Sequence, residues 1–323
     1  MRVLIIGAAG MVGRKLTAKL ITGTPLPIDH LTLVDVITPD PPQGVPTDTQ
    51  TADLSQPGQA AKLVESRPDI IFHLAAIVSG EAEADFEKGY AVNLDGTRAL
   101  FEAIRHQPNY KPRVIFTSSV AVFGAPFPES IADDFFTTPL TSYGTQKAIG
   151  ELLLSDYSRR GFLDGVGIRL PTICVRPGTP NKAASGFFSN IIREPLVGKE
   201  AVLPVSDDVR HWYASPRAAI SFLLHAATID TQTLGARRNL SMPGLSTTVG
   251  DEIAALRKVA GEKAVNLIRR EPDPTIQRIV AGWPHRFDAT RAESLGFQAE
   301  RSFEEIIRVH IDDELGGQVP VAA

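Results

Sequence analysis

Arg2-Val3-Leu4-Ile5-Ile6-Gly7-Ala8-Ala9-Gly10-Met11-Val12-Gly13 opens the chain, and its reading decides the fold. Arg2 to Ile6 is a β-branched and leucine run of the kind that makes a buried strand, and the spacing from Arg14 to Leu20 predicts a helix. The glycines between them have separate uses. Gly7 permits a tight turn, Gly10 lets the backbone approach a pyrophosphate, and Gly13 lets helix and strand pack closely. The N-terminus of that helix presents unpaired N–H groups to an anion, and Met11 and Val12, between the glycines, are cofactor-binding candidates with them. The expected ligand is a dinucleotide. Asp35, at the end of a second strand predicted over Leu31 to Ile37, strengthens the reading. A carboxylate about 20 residues beyond the glycines accepts hydrogen bonds from the ribose hydroxyls and repels a 2′-phosphate, so NAD is expected rather than NADP.

Outward from this unit, Asp69 to Leu74, Arg113 to Ser118 and Gly165 to Leu170 are further short apolar runs separated by helical segments. That alternation predicts an α/β protein with a Rossmann-type, doubly wound parallel sheet. Asn93 to Arg105 and Ser142 to Ser158 read as two long helices. The proline-rich stretch Thr38 to Thr49 reads as a surface loop, because proline cannot serve a central ladder. Beyond Pro171 the pattern loosens, with helices expected over Phe187 to Arg193, Arg217 to Ala227 and Thr248 to Val259. The expected organisation is an NAD-binding part over 1–170 and a smaller, mainly substrate-binding part over 171–323 that interleaves with it.

Composition narrows the function. The 323 residues carry 33 Lys plus Arg against 37 Asp plus Glu, a net charge of −4, and no basic block suited to nucleic acid or a lipid surface. The longest run without charge, Val3 to Gly13, is far short of the roughly 20 residues needed to span a bilayer. The single cysteine, Cys174, allows neither an internal disulfide nor a multi-cysteine metal site, which fits a reducing, cytoplasmic setting. His73 closes an apolar strand with no second ligand at metal spacing, so it reads as a framework residue and no metal is expected.

A second constellation is Tyr143-Gly144-Thr145-Gln146-Lys147, with Ser119 upstream at a strand end. A tyrosine and a lysine four apart share one helix face, where the ammonium favours phenolate over phenol. Tyr143 is then a general base, Lys147 lowers its pKa, and Ser119 aligns a substrate hydroxyl or carbonyl.

Together with Asp53-Leu54, His73-Leu74-Ala75-Ala76, Asn93-Leu94-Asp95-Gly96-Thr97 and Thr117-Ser118-Ser119, these motifs make the chain resemble an extended short-chain dehydrogenase/reductase of the NAD-dependent epimerase/dehydratase group. The resemblance covers essentially the whole chain. It implies that Asp53 and Leu54 border adenine, that Leu74, Ala75 and Ala76 line the phosphate and ribose side, that Asn93, counted with the cofactor-binding residues, helps hold the active-site framework, and that Pro171 and Thr172 flank the nicotinamide. It also implies that Lys147 binds the cofactor ribose and that the long helices pair in a homodimer. Within the group, Ile77 to Asp85 with Ser79, Phe123 to Pro128 and Arg169 to Gly178 resemble a subgroup that oxidises small sugar acids. Ser79, Asn181, Lys182 and Ser185 are then substrate-contact candidates by position. Val120-Ala121-Val122 after Ser119 replaces the acidic pair of the dehydratases.

Arg210 admits three readings: a clamp on a sugar-acid carboxylate, a contact to a nucleotide-sugar diphosphate, or a salt bridge. His211-Trp212-Tyr213 reads equally as pocket wall or core. A nucleotide-sugar 4-epimerase, which would use the same Ser, Tyr and Lys, stays open, as does a non-catalytic NAD sensor.

Overall fold

In chain order the strands and helices of the computed structural model, which describes residues 1–24, 26–178 and 185–320, begin with β1 (Arg2–Ile6), α1 (Met11–Thr22), β2 (His30–Asp35), β3 (Thr47–Thr51), α2 (Gln59–Glu65) and β4 (Ile70–His73). Next come α3 (Ser79–Ala84), α4 (Phe86–Tyr90), a π turn over Ala91–Asp95, α5 (Gly96–Arg105), β5 (Arg113–Ser119) and α6 (Ser142–Arg159). The chain continues through β6 (Asp164–Leu170), β7 (Thr172–Ile173), α7 (Gly186–Leu196), β8 (Ala201–Leu203), β9 (Arg210–Ala214) and α8 (Pro216–Thr228). It finishes with β10 (Asn239–Ser241), β11 (Leu245–Thr248), α9 (Val249–Val265), β12 (Ile268–Arg270), α10 (Pro274–Ala281), α11 (Thr290–Ser294) and α12 (Phe303–Glu314).

These elements form two units that the chain enters more than once. The first comprises Met1–Val122, Thr137–Leu170 and Ile220–Ser241; the second comprises Phe123–Phe136, Pro171–Ala219 and Met242–Ala323. The first unit holds a seven-stranded parallel sheet in the order β10-β6-β5-β4-β1-β2-β3. Its central strands are buried on both faces, as parallel strands between helical layers must be. The order reverses between β1 and β4, which puts the glycine turn at the carboxyl end of β1, the position where open α/β sheets take ligands. The second unit holds a three-stranded sheet, β11-β9-β7, a two-stranded sheet, β12-β8, and helices α7, α9, α10 and α12. Its core includes Phe187, Phe188, Ile191, Leu256 and Ile307. Among the described residues no helix is long and apolar enough to cross a membrane.

Two sequence expectations need correction. Part of the predicted loop Thr38 to Thr49 belongs to β3, which pairs with β2 from Leu31↔Thr47 to Asp35↔Thr51. Its sequence, Thr-Asp-Thr-Gln-Thr, shows no apolar alternation because it is the edge strand, and its threonines suit a pleated surface that remains partly open. The second strand also ends at Asp35, leaving Val36 and Ile37 exposed.

Helix α6 is seated unusually close to β5. A Cβ on Gly144, in its first turn, would collide with the Ala121 carbonyl in the short helical turn Val120–Val122 that follows Ser119. Gly144→Ala is therefore expected to lower the unfolding free energy by about 1–3 kcal/mol through overpacking. Helix propensity alone would instead raise it by up to about 1 kcal/mol. Urea unfolding distinguishes the two signs, and a more stable variant would show that the helix does not depend on this approach.

Candidate active site

At the end of β1 the backbone turns sharply. Gly7 has φ +94°, and a Cβ there would lie 2.6 Å from the amide nitrogen of Ala75. A Cβ on Gly13 would collide with the Gly7 carbonyl and with Ala8. The absence of both side chains lets α1 start directly over the turn, and its Gly10 N-cap supplies no side-chain hydrogen bond to the helix. The first-turn N–H groups are left for an anion, so the cradle fits the pyrophosphate of a dinucleotide. Asp35 holds this cradle: its carboxylate accepts from the amides of Ala9 (2.9 Å) and Val36 (2.7 Å) while remaining partly exposed at the end of β2. Asp53 accepts from the amide and hydroxyl of Ser55 in a local turn, and Leu54 is buried in the core of the first unit. Leu74, Ala75 and Ala76 are partly exposed just beyond β4, with the amides of Leu74 and Ala75 anchored on the Ile6 carbonyl.

Asn93 has a different place from a ligand contact. It is 1% exposed, and its side-chain oxygen accepts from the Ile77 amide at 2.8 Å. Its amide nitrogen donates to the Ile77 carbonyl (3.1 Å) and to Oε1 of Gln146 (2.7 Å). It is thus a positioning residue that ties the segment after β4 to α6, the framework role expected of it. Beside it His73, 1% exposed, meets Thr97 Oγ1 at 2.8 Å. Because that hydroxyl donates to the Asn93 carbonyl, it must accept from the Nε2–H of His73. Burial first, and the charge of Lys147 second, push the His73 pKa down to about 3, so the imidazole is a neutral framework group.

Ser119 ends β5, and Tyr143 and Lys147 stand one turn apart on α6. The Thr141 hydroxyl caps α6 by accepting from the Gly144 amide, and Glu83 of α3 accepts from the Ser142 amide at 2.9 Å. Ser119 Oγ accepts from the Ala121 amide at 3.2 Å, which leaves its O–H to donate to the neighbouring Tyr143 phenol. Lys147 is 2% exposed; its ammonium donates to the Thr117 carbonyl at 2.8 Å and lies 5.8 Å from the Tyr143 ring centroid.

The expected electrostatics change in consequence. Enclosure by protein pushes the Tyr143 phenol up to about 12, opposed by the Ser119 hydrogen bond. The ammonium of Lys147, engaged by Thr117, does not offset this in the protein alone. Lys147 itself is drawn down to about 8 by burial, with Glu151 resisting. Glu151 was not legible as a site residue. It is 3% exposed, accepts from Ser118 Oγ at 2.5 Å, and pairs with Arg169 through both carboxylate oxygens. Its signal was only its spacing, four residues beyond Lys147.

Ser79 opens α3 and is partly exposed. In the second unit Pro171 is buried, and Thr172 Oγ1 lies 2.6 Å from Nε2 of His211. His211 and Tyr213 are core residues: His211 stacks on Phe188 with centroids 5.2 Å apart, and Tyr213 is fully buried. Arg210 is exposed at the start of β9 and donates to the Ser246 carbonyl at 3.1 Å. Ser185 accepts from Arg176, a residue not singled out by its pattern. Asn181 and Lys182 lie outside the described residues.

Replacing Asn93 by Ala strands the Ile77 amide and Gln146 Oε1. Each group left buried without a partner costs about 1–3 kcal/mol, so Asn93→Ala should unfold at clearly lower denaturant while its NAD affinity changes little. Unchanged stability with lost NAD affinity would return Asn93 to the cofactor contacts.

The comparisons with known proteins agree with this geometry. Residues 3–216 match the model of the NAD dependent epimerase/dehydratase family. D-erythronate dehydrogenase of Cupriavidus necator is 47% identical, covering 97% of this chain and 98% of the relative. D-erythronate dehydrogenase of Haemophilus influenzae is 43% identical over 98% of this chain and 100% of its own. A solved structure from Agrobacterium tumefaciens, described as a nucleoside-diphosphate-sugar epimerase, is 68% identical. It superposes with a TM-score of 0.97 over 99% of this chain and 96% of that one. With a glycine cradle that fits a dinucleotide at the carboxyl end of β1, and with a family match over most of its length, this chain belongs to the NAD-dependent epimerase/dehydratase family and uses NAD as its cofactor.

Proposed function

We propose that the protein oxidises a small sugar acid, D-erythronate, at C2 to give 2-dehydro-D-erythronate. The observation that carries this reading is the Ser119, Tyr143 and Lys147 arrangement in a chain 47% and 43% identical, over nearly full length, to two D-erythronate dehydrogenases. Tyr143, as phenolate, takes the proton of the substrate hydroxyl. Ser119 donates its hydrogen bond to the substrate oxygen and holds the reacting carbon in place. Lys147, whose ammonium lies 5.8 Å from the centre of the phenol ring, has in this reading the roles of favouring phenolate by Coulomb attraction during turnover and of binding the cofactor ribose. NAD, when bound, accepts the hydride. Thr172 and Pro171 flank the nicotinamide in this reading, and Ser79 contacts substrate. We also propose a homodimer, and cytoplasmic residence consistent with the single free thiol, Cys174.

A second reading has a specific observation behind it: the 68% identical Agrobacterium tumefaciens structure carries the name of a nucleoside-diphosphate-sugar epimerase. In that case Arg210 would meet a diphosphate. Cofactor turnover separates the two, because a dehydrogenase leaves NADH in solution and an epimerase returns the hydride to its substrate. Purified protein with NAD and D-erythronate is expected to accumulate NADH. In Tyr143→Phe the rate should fall about 10²- to 10⁴-fold, the usual size of a general-base contribution, while NAD binding persists. Failure to form NADH, together with interconversion of a nucleotide sugar, would establish the second reading instead.

The raised phenol also predicts a pH profile. Since Tyr143 titrates near 12 in the protein alone, the phenolate fraction grows with every unit of alkalinity below that value. Sugar-acid oxidation should therefore accelerate between pH 7 and pH 10, by at most about tenfold per unit for a single ionisation. The reverse reduction, which needs the phenol, should not accelerate. Equal slopes in the two directions would remove Tyr143 as the titrating group.

A further inference from the structure

The glycine turn between β1 and α1 is held peptide by peptide. The amides of Gly7 and Ala8 both donate to the Val34 carbonyl of β2, at 2.8 and 3.0 Å, and the Ala9 amide donates to Asp35 at 2.9 Å. The next peptide, which joins Ala9 to Gly10, is held differently. Its N–H meets the Gly7 carbonyl only at 3.4 Å, beyond the usual range of an N–H···O bond, so the main chain alone restrains it weakly. Its carbonyl accepts from Nη1 of Arg14 at 2.9 Å. Arg14 is the fourth residue of α1, and helical side chains lean toward the N-terminus, which carries this guanidinium back over the turn. The Arg14 amide meanwhile donates to the Gly10 carbonyl at 2.9 Å. One residue therefore takes both carbonyls that close the cradle.

This hold falls where the chain needs one. Gly10 has no Cβ to oppose rotation of the peptide before it, and as N-cap it makes no side-chain hydrogen bond that would fix the start of the helix. A peptide left free to turn must be ordered again when an anion enters, and that ordering subtracts from affinity. Asp35 and Arg14 answer this from opposite sides of Ala9: the carboxylate takes its N–H and the guanidinium takes its C=O. Arg14 is exposed, and it makes no ion pair among the described residues that would draw it elsewhere.

We propose that Arg14 is a positioning residue for the cofactor. By holding the Ala9 carbonyl it fixes the last peptide of the cradle before a dinucleotide arrives, and so sets the affinity for the pyrophosphate without taking part in recognition of a 2′-phosphate. Its role depends on the use of NAD and is independent of which substrate is oxidised. The charge itself contributes less than the hold, because an exposed cation is screened by salt.

The test compares wild type with Arg14→Met, which keeps an apolar stem and loses the donors, and with Arg14→Lys, which keeps a donor for the carbonyl. Protein freed of nucleotide is titrated calorimetrically with NAD, NADP and ADP-ribose, and adenosine binding is followed by ligand-observed NMR. Arg14→Met is expected to raise Kd for NAD, NADP and ADP-ribose by the same factor, about 3- to 10-fold, the range of one hydrogen bond. Adenosine, which has no phosphate, should bind as it does to wild type, and Tm without nucleotide should be unchanged. Arg14→Lys should restore most of the lost affinity. A loss for NADP larger than for NAD would overturn the proposal by making Arg14 a direct contact of the 2′-phosphate. An equal loss for adenosine, or a lowered Tm without nucleotide, would overturn it in favour of a general structural role. Wild-type Kd values in Arg14→Met would leave Arg14 a solvated surface side chain.

Discussion

The seating of α6 against the parallel sheet is the constraint on which the arrangement of Ser119, Tyr143 and Lys147 depends. Glu151 reaches from that helix to Ser118 on β5 and to Arg169 on β6, all three buried. A buried ion pair of this kind is a weak source of net stability, because desolvation offsets most of the attraction. Its effect here is on register: a helix displaced by one turn would leave Glu151 and Arg169 as unpaired buried charges. The Gly144 approach to Ala121 adds a steric limit at the helix N-terminus. Tyr143 adjoins the first of these points and Lys147 stands between them, so the separation of phenol, ammonium and Ser119 is set by packing and polar satisfaction rather than by loop conformation.

The same enclosure governs protonation. Lys147 is tolerated inside because Thr117 accepts its hydrogen bond and Glu151 lies one turn along the helix. Its charge in turn helps keep His73 neutral, and that neutral imidazole passes its hydrogen bond to Thr97 and onward to the Asn93 carbonyl. Asn93 closes the loop by joining Ile77 to Gln146 on α6. Backbone segments from β4, the π turn, β5 and α6 are therefore linked through one buried polar network. Such networks specify a unique arrangement when nearly all their members are satisfied. The π turn supplies the local register that lets Asn93 face both partners, a recurrent use of such irregularities.

The names carried by similar proteins divide between oxidation and epimerisation, and the chemistry of the first unit serves either. A serine, a tyrosine and a lysine beside NAD transfer a proton and orient a hydroxyl in both reactions. What separates them is recognition of the rest of the substrate. A carboxylate requires little more than one well-placed guanidinium. A nucleoside diphosphate requires a larger surface and more charge. The function therefore turns on a few side chains away from the reacting atoms.

The amino-acid sequence by itself determined the strand, glycine turn and helix at the start of the chain. It also determined the parallel character of the sheet and the acidic residue closing β2, and it marked Ser119, Tyr143 and Lys147 as the catalytic candidates. Each is written in local spacing: a buried strand is a continuous apolar run, a tight turn needs glycine, and one helix face repeats every three to four residues. Strand β3 escaped this reading because an edge strand need not be apolar, and the partners of Asn93, Ile77 and Gln146, escaped it because they are distant from it in sequence. Only the tertiary structure decided the charge states. The phenol of Tyr143 is raised because the fold encloses it, although its spacing to Lys147 points the other way. Desolvation and pairing depend on which atoms the fold brings together, and chain spacing carries that information only within a few residues.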